Sequence, residues 1–88
     1  MSRNGSKTNV AKWMDLPAHR TNKGISLREI ADSTKISIRF LQAIEEGDFE
    51  QLPGGIYNTS YLRQYAREIG YEESKLIERY QETVTTLI

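Results

Sequence analysis

No cysteine occurs in the chain, which excludes a disulfide framework and a thiolate metal centre and fits a reducing compartment. No apolar run approaches the roughly 20 residues that a bilayer span requires. The N-terminal stretch MSRNGSKTNVAKWM lacks the apolar segment of a secretory signal. The expectation is a soluble, cytoplasmic chain with no membrane contact of its own. Net charge is missing as well, with 12 basic residues against 12 acidic ones, which argues against a general polyanion binder. The single histidine, His19, has no carboxylate or nucleophile in register, and neither a glycine-rich phosphate loop nor a metal-ligand spacing is present. The chain therefore reads as a binding module and not an enzyme, without cofactor, metal site or small-molecule substrate. Its 88 residues leave room for one modest core.

What the chain has is an uneven charge distribution. Met1 to Arg39 holds eight basic and three acidic residues, net +5, while Phe40 to Ile88 holds four basic and nine acidic ones, net −5. A neutral total can hide a basic face. Residues 1–12 are small and polar and read as a disordered tail. Trp13 is the first large apolar side chain, placed to pack on the domain or to open the first helix. The domain proper is expected over 13–82, with 83–88 as a helix end or the start of a linker.

Helical signals fill the domain. A first helix is expected from Asp15, a capping residue, to Asn22, with Pro17 tolerated in the opening turn and Gly24 as the stop. A second begins at Ser26, whose S-x-x-E spacing to Glu29 is a capping box, and sets Leu27, Ile30 and Ala31 on one face. After a turn around Thr34 to Ile36, Ser37 can cap a third helix that Gly47 ends. On that helix Phe40, Leu41 and Ile44 share the inward face, and Arg39, Gln42 and Glu46 the outward one. Phe49 and Leu52, in the loop GDFEQLPGG, are placed to plug the core from below. A fourth helix is expected from a cap near Asn58 to Ile69, with Leu62, Tyr65, Ala66 and Ile69 buried and Gly70 as the stop. A fifth starts near Glu72 or Glu73 and carries Leu76, Ile77, Tyr80, Val84, Leu87 and Ile88 as its stripe. Part of that stripe is heptad-like, over too few turns to specify a coiled coil. No segment reads as a strand. The fold class is all-α: a compact five-helix bundle built around a helix-turn-helix.

Two functional readings follow, and the residues leave both open. Helix-turn-helix units often place the N-terminal part of their second helix in the DNA major groove. Here that would bring Ser37, Arg39 and Gln42 to base edges, Arg and Gln having the donor and acceptor forks that suit G and A, with Lys23, Arg28 and Lys35 on phosphates. Glu45 and Glu46, at the far end of the same helix, oppose this reading by repelling phosphates. The second reading starts from Tyr57, Tyr61 and Tyr65, which recur at i, i+4. Tyr65 belongs to the core stripe, but Tyr61 sits roughly 80–90° from its centre and Tyr57 further round. Aromatics that leave the core face are candidate anchors for a protein partner, and the alternative is packing on the Phe49 loop or on the fifth helix.

The stretch GISLREIADSTKISIRFLQAIEEGD resembles the XRE-type, phage-repressor-like helix-turn-helix, a lambda-repressor-like fold. With the extension GDFEQLP, then Tyr57 and YLRQYAREIGYEESKLIERY, the chain is similar to the N-terminal cytoplasmic domain of the RodZ-like family of bacterial cell-shape proteins, from about Leu16 to Tyr80. That resemblance implies a five-helix cytoplasmic bundle which, in longer members, precedes a linker, one membrane-spanning helix and a periplasmic domain. It implies an actin-like filament partner, MreB, docked mainly through the aromatic pair that matches Tyr57 and Tyr61, with Arg63 as a neighbour. It implies no enzymatic activity. The chain departs from the family pattern at Thr59-Ser60, where Arg-Gly is usual. It carries Lys35 where many XRE-type DNA binders have glycine in the turn. On this reading the tyrosines bear the partner and Arg39 contributes almost nothing, whereas on the DNA reading Arg39 is central.

Overall fold

A computed structural model describes residues 14–87. Trp13, the expected tail at 1–12, the side chains of Thr86 and Leu87 and all of Ile88 lie outside the described residues. The described residues form five α-helices and one short 3-10 turn, with no strand among them: α1 Leu16–Asn22, α2 Leu27–Thr34, α3 Ile38–Glu46, the 3-10 turn Phe49–Gln51, α4 Ile56–Ile69 and α5 Glu73–Leu87. The all-α helix-turn-helix architecture is as the periodicity implies. α4 is the central member, packed on α5 along one flank and on α2 along another, while α2 packs on α3.

The boundaries have local causes. At α2, Glu29 N–H donates to Ser26 Oγ at 3.1 Å, and Ser26 N–H donates to Glu29 Oε1 at 2.8 Å, so the capping box closes in both directions. Three residues, Lys35 to Ser37, join α2 to α3. Thr34 Oγ donates to the Ile30 carbonyl at 2.7 Å and accepts from Ile36 N–H at 3.1 Å, which ties the turn to the helix before it. Ser37 Oγ then caps α3 by accepting from Arg39 N–H at 3.2 Å. Gly47 ends α3 in the left-handed region at φ 71°, and Asp48 N–H reaches back to the Ala43 carbonyl at 2.9 Å.

Two expected starts differ. Asp15 precedes α1 as anticipated, but it adopts a left-handed conformation and makes no side-chain cap. α4 begins two residues before Asn58, and Asn58 is buried inside its first turn. The Asn58 amide faces two ways: Oδ1 accepts from Gly54 N–H at 2.8 Å, and Nδ2 donates to Tyr80 Oη at 3.2 Å. It thus closes the turn before α4 and links that turn to α5, which is why an Asx residue here is not the cap itself. Gly55, at φ 62° and ψ −147°, takes the N-cap position in a conformation essentially reserved for glycine.

The core contains Leu16, Ile30, Ile36, Leu41, Ile44, Phe49, Leu52, Leu62, Tyr65, Ala66, Ile69, Leu76 and Ile77. Phe49 and Leu52 do close its lower end, and Phe49 meets Tyr80 edge-to-face at 4.8 Å. Across the surface, Arg67 forks onto Glu73 with bonds of 2.8 and 3.1 Å, joining α4 to the first turn of α5 and holding the Glu73 carboxyl below its usual range. Among the described residues, no helix is long and apolar enough to cross a membrane.

Candidate functional site

α3 and α4 together make two polar and aromatic assemblies, one inside and one outside. Glu45, at 8% exposure, is the charged residue in the core. The Arg20 guanidinium of α1 forks onto it, Nε to Oε2 at 2.6 Å and Nη2 to Oε1 at 3.3 Å, and its remaining nitrogen Nη1 donates to the Ile25 carbonyl at 3.1 Å. Tyr65 Oη of α4 donates to Glu45 Oε2 at 2.6 Å. Burial, followed by the hydrogen bond to Glu45 and that carboxylate's charge, holds the Tyr65 phenol far above its ordinary range. The bond to Glu45 is also the leading cause that raises the Arg20 guanidinium. The cluster therefore ties α1, α3, α4 and the loop before α2 at one point. It also corrects the expectation about phosphate repulsion: Glu45 is inward and paired, and only Glu46 is exposed at that end of α3.

The signal for this cluster is periodicity read on charged residues. Arg20 follows buried Leu16 by four, and Glu45 follows buried Leu41 by four, so both fall on the inward face of their helices. Opposite charges on two inward faces imply a buried pair.

The outer assembly is a row of rings. Tyr57 and Tyr61 stand 6.2 Å apart, Tyr61 and Phe40 5.9 Å apart, and the Arg39 guanidinium lies 6.0 Å from the Phe40 centroid. Tyr57 is 59% exposed, Tyr61 and Phe40 are half-buried, and neighbouring Ile56 is 81% exposed. Tyr61 thus packs on α3 through the Phe40 ring. Periodicity alone does not single out Ile56, which opens the helix, or the bridging role of Phe40.

The remaining candidates are dispersed around the domain. Arg28, Lys35, Ser37, Arg39 and Gln42 are all exposed on the helix-turn-helix. Lys23 extends across the end of α4: a methyl at Gly70 would meet its Nζ at 2.6 Å. A cation there suits the carbonyl-rich C-terminus of α4. Arg63 lies about 200° around α4 from Tyr61 and faces Glu73 of α5 at 3.9 Å, so the structure does not bring it to the aromatic row. His19 packs edge-on against Tyr71 at 4.9 Å. Among the described residues, no cluster of acidic, histidine or cysteine side chains is arranged to hold a metal.

Residues 15–76 match the sequence profile of a family described as "Helix-turn-helix domain". The chain belongs to that family. Over 61 residues this helix-turn-helix domain is 36% identical to the Cytoskeleton protein RodZ of Streptococcus pneumoniae, covering 69% of this chain and 22% of that protein. Over 60 residues it is 33% identical to the Uncharacterized membrane protein YmfM of Bacillus subtilis, covering 68% of this chain and 21% of that protein. The helix-turn-helix domain is thus RodZ-like, and the chain spans about a fifth of the length of these curated relatives. No solved structure gives a significant match.

Proposed function

We propose that this domain is a non-enzymatic docking module for an actin-like filament protein of the MreB type, acting in bacterial cell-shape maintenance. The observation that carries this reading is the aromatic row at the start of α4, where Tyr57 is exposed and Tyr61 only half-buried although Tyr65, one turn on, is fully buried. Large aromatics exposed on a rigid helix are typical anchors of protein interfaces. The likeness to a protein named for the cytoskeleton supports the same partner class. In this reading the domain, residues 13–82, sits at the cytoplasmic face of the membrane as part of a longer anchored protein. The likeness to a protein named as a membrane protein supports that placement. The test is a titration of purified MreB into the wild-type chain and Tyr61→Ala. The expected loss is about 2 kcal/mol or more, with helical content unchanged. Equal affinity for both proteins would sink this reading.

The alternative, an XRE-type DNA-binding regulator, gains from one observation. With Glu45 buried and paired, the exposed face of α3 presents Ser37, Arg39 and Gln42 with less opposing charge than its sequence implies. Residue-resolved NMR with duplex DNA at low salt, where non-specific binding is strongest, tests it directly. Shifts at Lys35, Ser37, Arg39 and Gln42 would support it, and an unchanged spectrum would remove it.

A further inference from the structure

α2, α3, α4 and α5 pack along one another, whereas α1 meets the rest of the bundle only at a few points. It has seven residues, and a helix this short does not persist without tertiary support. Leu16 is its fully buried side chain, and Arg20, one turn on, is its polar anchor. His19 adds the edge-on contact with Tyr71. The segment before the helix works against these anchors. Met14 and Asp15 stand in succession in the left-handed region, at φ 60° and 48°, which residues with a Cβ adopt only under strain. Asp15 makes no side-chain cap. At the other end Gly24, at φ 70°, joins α1 to the start of α2, and a methyl placed there would meet nothing within 4 Å. α2 is one residue longer and is secured quite differently, by its closed capping box and by a Ser33 hydroxyl that donates to Glu68 of α4 at 3.1 Å.

We infer that α1 is a strap that releases and re-seats as one unit, with Gly24 as its hinge and the Arg20–Glu45 fork as its latch, while α2 to α5 stay folded. What the strap leaves behind holds together. The Tyr65 hydroxyl bonds Glu45 within the α3–α4 pair at 2.6 Å, so the carboxylate keeps a donor when the guanidinium leaves, and its other oxygen becomes hydrated. Ile30, Leu41, Ile44, Leu62, Ile69 and Leu76 all belong to the helices that remain. Release also relieves the strain at Met14 and Asp15 and returns nine residues to conformational freedom, both of which favour the open state. The domain thus has two folded states, one with Glu45 covered by Arg20 and one with its carboxylate facing solvent.

The experiment is amide hydrogen exchange of the wild-type chain, followed by NMR without urea and in low urea. The strap is reported by three N–H groups: His19, bonded to the Asp15 carbonyl, and Lys23 and Ile25, both bonded to the Arg20 carbonyl. Leu62, Tyr65 and Ile69 report α4. The expected result is one shared protection factor for the three strap groups, about a hundredfold or more below that of α4. Low urea should hardly change it, since little surface opens with the strap. In Arg20→Met the strap groups should lose about a further hundredfold. The α4 groups should then fall by no more than the wild-type protection factor of the strap, because the open state no longer contains the Arg20–Glu45 bond. Equal protection of strap and α4 in the wild-type chain would make α1 part of a single cooperative unit and overturn the inference. Protection that climbs from His19 to the α4 level at Ile25 would be simple fraying and overturn it as well. An Arg20→Met chain whose α4 protection falls further than that factor, or which does not fold, would show that α2 to α5 cannot stand without the strap.

Discussion

Tyr65 and Tyr57 are the same residue type two helical steps apart on α4, yet one is fully buried and the other is 59% exposed. Four residues advance a helix by about 400°, so each i, i+4 step drifts by about 40°. Two steps carry the row from the core face to the surface. Tyr61, midway, is half-buried against Phe40. The same helix α3 meets Tyr65 and Tyr61, offering Glu45 to the Tyr65 hydroxyl and the half-buried Phe40 to the Tyr61 ring. The inner tyrosine is satisfied within the chain by a charged partner, whereas the outer one leaves much of its ring to solvent. Burial and a charged partner mark the fold-holding end of the row, and exposed aromatic area marks the end proposed to bind.

Breaking the inner cluster gives the largest expected effect. Arg20→Met leaves the Glu45 carboxylate buried without its cation, and removal of one member of a buried pair costs about 3–5 kcal/mol. That is a large share of the stability of a small domain. Urea unfolding followed by circular dichroism measures it. A loss below about 1 kcal/mol would mean that the cluster is dispensable and that the inner and outer tyrosines differ only in exposure.

The contrast was partly legible in the sequence. Helical spacing sorted Leu62, Tyr65, Ala66 and Ile69 from Tyr57 and Tyr61, and every one of those four is buried. The capping box at Ser26 and the glycine stops at Gly47 and Gly70 depend on a few neighbouring residues, so they are also visible in the chain itself. The Arg20–Glu45–Tyr65 cluster joins positions 25 and 20 residues apart, and only the tertiary fold brings them together. Asn58 shows the same limit. As an Asx residue it looks like a cap, but its second partner, Tyr80, is 22 residues away and draws it into the helix. In the candidate site, the exposure of Tyr57 was readable from the wheel. The bridge from Tyr61 through Phe40 to Arg39 depends on how α3 packs against α4.

Tyr65→Phe sharpens the comparison by keeping the ring and removing the hydroxyl. The bond to a charged acceptor is worth about 1.5–3 kcal/mol at neutral pH, and melting curves of the two proteins measure the difference. The pH dependence has a definite sign. The folded phenol titrates well above its unfolded value near 10. Its contribution is therefore complete below about pH 10 and is lost as pH rises further, because the unfolded chain releases the proton first. The expected slope is about 1.4 kcal/mol per pH unit. The wild-type and Tyr65→Phe stabilities should converge above about pH 10. A difference that stays constant through that range would mean that burial and the bond to Glu45 do not hold the hydroxyl neutral in the folded state.

At the other end of the row, Tyr57→Ala should separate binding from stability. The exposed ring contributes little to the fold, so stability should change by no more than about 0.5 kcal/mol, while MreB affinity falls by about 2 kcal/mol. Thermal melts and the binding titration on the same preparation test both halves. A large loss of stability would make Tyr57 a packing residue and would erase the distinction between the two ends.

The smallest effect concerns Lys35, in the turn that sets α3 against α2. It adopts φ 67° and ψ 17°, a left-handed conformation that costs an L-residue with a Cβ about 1 kcal/mol or more. Its N–H donates to the Ala31 carbonyl at 2.8 Å, a backbone bond that glycine preserves. Lys35→Gly therefore relieves strain in the folded state, and the added freedom of the unfolded chain offsets part of the gain. The expected net result is a stabilisation of up to about 1 kcal/mol by urea unfolding. On the docking reading, Tyr57 and Tyr61 should keep their full effect on MreB affinity in this variant. On the DNA reading, the same substitution should reduce the salt dependence of binding by removing one phosphate contact. A destabilised Lys35→Gly would show that the lysine side chain makes a contact strong enough to outweigh the strain of its backbone.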